Sequence, residues 1–107
     1  MTDQNEEPDI KDKLNAETGK VVWKELERFY AKGVLIKVSQ DLDLVEVGKT
    51  FAEDDKQAVE RWLTSGEVER VSENDARRWN EDDPLFWATV VAPWVLVQEV
   101  EEPDALH

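Results

Sequence analysis

Phe86-Trp87-Ala88-Thr89-Val90-Val91-Ala92-Pro93-Trp94-Val95-Leu96-Val97-Gln98-Glu99 is the stretch on which the fold turns. From Phe86 to Val91 every residue except Thr89 is apolar, and the run resumes from Trp94 to Val97. A strand with one wet face alternates apolar and polar side chains. Unbroken apolarity instead indicates a strand covered on both faces. Ala92-Pro93 interrupts the run, which predicts two strands, 86–91 and 94–100, or one bent strand. Proline has no N–H to give to a ladder, so Pro93 belongs at an edge, a bulge or a turn.

Upstream of this stretch the pattern is mostly helical. Val22, Trp23, Leu26, Phe29 and Tyr30 recur at three and four residues and predict a helix over 22–32, with Gly33 as its left-handed terminator. Residues 34–38 are β-branched and apolar and predict a strand, followed by a turn at 39–41. Residues 42–47 fit two periods. Leu42, Leu44 and Glu46 alternate as a strand would, whereas Leu44, Val47 and Phe51 give a helical stripe. Asp43, with Glu46 three residues on, resembles a capping box and favours a helix over 44–53. Gly48 inside it costs up to about 1 kcal/mol against Ala and keeps the strand in play. Asp54-Asp55 can cap a further helix over 56–64, with Ala58, Val59, Trp62 and Leu63 inward and Gly66 closing it. A short strand at 68–71 follows. Ser72 then opens a helix that directs Ala76 and Trp79 inward and ends before Pro84. Pro8, Ile10, Leu14 and Gly19 outline one more short helix near the start. The expectation is a small α+β domain at 10–100, with about five short helices and a short sheet that includes the two C-terminal strands.

The 107 residues contain 26 acids, 13 bases, no cysteine and a single histidine, the terminal His107, for a formal charge of −13. Residues 1–9 and 101–107 carry seven acids and no base, which leaves the body at −6. Such charged, apolar-poor ends are expected to be disordered tails. With no Cys and one His, disulfides, thiolate nucleophiles, Cys-based metal centres and Ser-His-Asp catalysis are excluded. The start is acidic and polar, unlike a basic-then-apolar export signal, and no run is long enough to span a bilayer. A cytoplasmic setting without membrane contact is the expectation.

Leu14-Asn15-Ala16-Glu17-Thr18, Trp23-Lys24-Glu25-Leu26 and Ala31-Lys32-Gly33 resemble the opening of a small bacterial family, domain of unknown function 2288. Asp43-Leu44-Val45-Glu46-Val47, Ala52-Glu53-Asp54-Asp55, Val59-Glu60-Arg61-Trp62-Leu63 and Gly66 continue the resemblance. Its strongest signature is Ala92-Pro93-Trp94-Val95-Leu96-Val97-Gln98-Glu99. The resemblance implies a bacterial context. It carries no activity and assigns no catalytic residue.

Three acidic clusters, Asp41/Asp43/Glu46, Glu53/Asp54/Asp55 and Glu81/Asp82/Asp83, offer the oxygen ligands that hard cations take. None has the calcium-loop spacing, and their positions fit helix caps and solvated turns better. The four glycines are isolated, so no phosphate-binding loop is present. No catalytic residue, metal or cofactor is therefore assigned. The order helix, short turn, helix, strand over 44–71 resembles a helix-turn-helix with a wing, which makes a nucleic-acid or transcription-associated factor the alternative function. Residues 41–70 carry nine acids and four bases, and that charge opposes phosphate binding.

Five tryptophans are many for one small core, and tryptophan is enriched at interface hot spots. Trp94, Pro93, Trp87 and Trp62 are the candidate interaction residues. If the strand after Pro93 lies at a sheet edge, its free N–H and C=O groups can pair with a partner or a second copy. The competing reading is an interior strand beneath the Trp23/Leu26/Phe29 helix. The function expected from sequence is a non-enzymatic protein-binding module whose partner is another protein or a second copy of the chain.

Overall fold

The computed structural model describes residues 19–100. In chain order the elements are β1 (Gly19–Val22), α1 (Trp23–Lys32), β2 (Leu35–Val38), α2 (Leu44–Ala52), α3 (Lys56–Ser65), β3 (Val68–Arg70), α4 (Glu73–Asp82), β4 (Leu85–Val91) and β5 (Trp94–Glu99). The apolar C-terminal run becomes the antiparallel pair β4 and β5, with Val91 opposite Trp94 and Phe86 opposite Glu99. Ala92 and a cis Pro93 form the turn between them. The five strands stand in the order β1-β4-β5-β2-β3. All pairs are antiparallel except β5 with β2.

The central position of β5 accounts for its unbroken apolarity. Val95 and Val97 point to one face and join a core with Trp23, Leu26, Leu35, Val71, Trp79 and Phe86. Leu96 points to the other face and packs with Ile36, Val38, Leu44, Val47 and Val68. Thus α1 and α4 cover one side and α2 and α3 the other. Leu96, Val97 and Phe86 are wholly buried. Each such side chain contributes roughly 1.5–3 kcal/mol through water exclusion. On the first side the aromatic rings meet edge-on, Trp23 against Trp79 at 5.6 Å and Trp79 against Phe86 at 4.8 Å.

Local chemistry sets the element boundaries. Asp43 accepts the Val45 N–H at 2.9 Å and begins α2, so the helical reading of this region holds. Gly48 is among the buried residues of α2, which lies against β4 and β5. Asp55 accepts the Ala58 N–H at 3.2 Å and begins α3. Ser72 and Asp75 form a reciprocal capping box on α4. Gly33 (φ 76°) and Gly66 (φ 84°) end α1 and α3 in the left-handed region, where a side chain is disfavoured.

Four helices are present among the described residues. The further helix expected around Ile10 and Leu14, and both acidic tails, lie outside them. Of the two readings of the strand after Pro93, the interior one holds, because β4 and β2 flank it on both sides and Val95 and Val97 pack with Trp23 and Leu26. Three expectations are corrected. Val22 belongs to β1, a strand the sequence reading did not anticipate, and not to the first helix. On β4, Trp87 is 37% and Val90 51% exposed, so that strand is not covered on both faces along its whole length. Leu63 does not face inward with Ala58, because it is 47% exposed.

Candidate interaction site

Where α2, α3 and the β4–β5 turn meet, the second core opens into an apolar groove of about 360 Å³. Its apolar lining is Ile36, Phe51, Val59, Leu63 and Trp94. Val59 and Leu63 are four residues apart and so fall one above the other on α3, beside the inward line of Ala58 and Trp62. Phe51, in the last turn of α2, is half-buried and forms another wall. Trp94, the first residue of β5, is also half-buried. The Arg70 guanidinium lies 5.5 Å from its ring centroid, a cation–π contact across the sheet end. Asp54, Asp55, Lys56 and Glu60 complete the lining, and all four are exposed.

The four sequence-selected residues fall in different places. Trp94 is in the groove, and Pro93 is exposed in the adjoining turn. Trp62 packs against the second core and borders a separate shallow depression with Gln57, Glu60 and Arg61. Trp87 is paired in register with Lys20 on β1 and Gln98 on β5, away from the turn that holds Trp94. It is 37% exposed, with the Lys20 ammonium 5.0 Å from its ring centroid. Leu63, Phe51 and Arg70 were not among the sequence candidates. The available signal was the width of the α3 stripe. Ala58, Val59, Trp62 and Leu63 span more surface than the three-residue edge strand β3 beneath them covers, so Leu63 overhangs.

A second cleft, of about 320 Å³, lies toward the carboxyl ends of the parallel pair β2 and β5. Its lining is mixed, with Val38, Trp79, Phe86 and Val97 beside charged groups that are spent on one another. The Lys37 ammonium sits 2.9 Å from Asp75 and 3.5 Å from Glu69. Arg78 lies 3.6 Å from Asp75 and 3.7 Å from Glu99. The Trp79 indole N–H donates to Glu99 at 2.8 Å. Burial pushes the Asp75 carboxyl up, but the Lys37 ammonium and the Ser72 N–H and hydroxyl together outweigh it and hold the group below the usual carboxylate range. This network ties α4 to the sheet. Of the three acidic clusters, Asp43 and Asp55 serve as caps, and no group of three or more potential metal ligands is gathered among the described residues. Nor is any helix there long and apolar enough to cross a membrane.

A small α+β domain with a five-stranded sheet, helices on both faces and an apolar groove open at the sheet margin is the class of protein these features define. Residues 9–99 match the family described as "Protein of unknown function (DUF2288)", and the chain belongs to it. The fold is similar to the NMR solution structure of PA1075 from Pseudomonas aeruginosa, with a TM-score of 0.78 and 41% identity over 100% of this chain and 99% of that one. No curated protein sequence matches the chain.

Proposed function

We propose that the protein is a binding module that engages a protein partner through the groove at Trp94, with Pro93 on its rim. The carrying observation is the groove itself, where a 47%-exposed leucine stands beside a half-buried tryptophan at the open end of a core. Tryptophan is among the residues that most often carry interface energy, and exposed apolar patches mark interaction sites. Trp62 and Trp87 fall outside this groove and are assigned a packing role and a secondary surface, respectively. The bacterial, cytoplasmic setting expected from sequence is part of the same reading.

Site-specific photo-crosslinking in the host cell tests the proposal. A benzophenone side chain at position 63 is expected to give a discrete crosslinked protein band. The same group at Glu27, exposed on α1 across the sheet, should give none. Equal crosslinking at both positions, or none at position 63, would refute the assignment.

A further inference from the structure

Resting on the protein-binding reading, we infer that the occupant of the Trp94 groove is a short segment of another protein carrying one bulky apolar side chain flanked by Lys or Arg. The apolar half of this follows from the wall. Ile36, Phe51, Val59, Leu63 and Trp94 converge with no uncharged polar side chain among the lining residues. A small polar metabolite would need convergent hydrogen-bonding groups inside the cavity, and the polar groups here are charged and sit at the mouth.

The basic half follows from the mouth. Asp54, Asp55 and Glu60 face only two bases, Lys56 and Arg70. Arg70 is already stacked on Trp94. Asp55 spends one carboxylate oxygen on the Ala58 N–H. The carboxylates of Asp54 and Glu60 have no ion pair or hydrogen bond among the described residues. They are free to accept from an incoming ammonium or guanidinium. The wider field has the same sign, since residues 41–70 hold nine acids against four bases and the whole chain stands at −13. That field draws a basic segment to the groove and speeds its encounter. It also disfavours a second copy as the occupant, because that copy would bring another thirteen negative charges.

A random twelve-residue display library selected on the immobilised full chain supplies the probe. Enriched sequences are expected to carry Leu, Ile, Phe or Trp bordered by at least two Lys or Arg. A synthetic peptide of the enriched sequence should shift the amide signals of Leu63, Phe51 and Trp94. Leu63→Asp and the double reversal Asp54→Lys with Glu60→Lys should each weaken its binding at least about tenfold, as expected for an anchor and for a charge pair. The substituted positions Asp54, Glu60 and Leu63 are exposed, and unchanged circular dichroism of the variants is the control for folding. Binding of neutral or acidic peptides in the groove, indifferent to the charge reversal, would overturn the basic partner and leave the binding module standing. No saturable binding at the groove, or shifts mapping elsewhere, would overturn both.

Discussion

Asp75 does three jobs with one carboxylate. It closes the capping box with Ser72, pairs with Lys37 and lies within 3.6 Å of Arg78. Its side chain is only 11% exposed, so these contacts are poorly screened. Because its folded-state pKa is lowered, its contribution is present above the ordinary carboxylate pKa of about 4 and is lost as pH falls through the folded value. Asp75→Asn is expected to cost about 2 kcal/mol at pH 7, the scale of charge-assisted hydrogen bonds. Urea midpoints of the two proteins should converge as pH drops from 5 to 2. A constant gap across that range would show that the carboxylate's charge is not what matters.

At the scale of the element, β5 and α3 make a useful contrast. Leu96 is wholly buried on the central strand, whereas Leu63 is 47% exposed on a helix that overhangs the sheet edge. Leu96→Ala should cost about 2–5 kcal/mol, because it leaves a cavity where layers meet. Leu63→Ala should change stability by no more than about 0.5 kcal/mol. Equilibrium denaturation of both variants measures the difference, and a comparable loss in each would place Leu63 in the core. Gly66 adds a backbone test. A Cβ there meets nothing within 4 Å, yet φ is +84°. Gly66→Ala should therefore cost about 1 kcal/mol from conformation alone; a neutral result by the same denaturation assay would show that the chain relaxes out of the left-handed region.

The two cores of the molecule share one sheet. Val97 belongs to the core under α1 and α4, while Leu96, its neighbour in the chain, belongs to the core under α2 and α3. One layer cannot melt without removing support from the strand that holds the other, so unfolding should be two-state. Methyl resonances of Val97 and Leu96 followed through a urea titration should lose native intensity at the same midpoint. Separate midpoints would show independent layers. Much of this architecture was legible beforehand, because local chemistry specifies it. Asp43, Asp55, Ser72, Gly33 and Gly66 mark helix ends by hydrogen bonding and backbone preference over a few residues, and the run from Trp94 to Val97 announces a strand dry on both faces, whereas the equally apolar β4 keeps Trp87 and Val90 exposed. Strand order was not legible. Nothing local in Trp94-Val95-Leu96-Val97 states that β2, some sixty residues earlier, lies parallel beside it, and the edge alternative failed on that pairing. The groove was only half legible. Trp94 could be singled out by residue type, but Leu63 became exposed and Arg70 met Trp94 only because β3 is short and stands at the sheet margin. Most helix ends, the positions of β2 to β5 and the acidic character were thus determined by the sequence alone, since each depends on neighbours in the chain or on composition; β1, at Gly19–Val22, emerged only through its pairing with β4. Which strand is central, which carboxylate is clamped and where the core stays open were decided by tertiary packing, since each depends on groups brought together from distant parts of the chain.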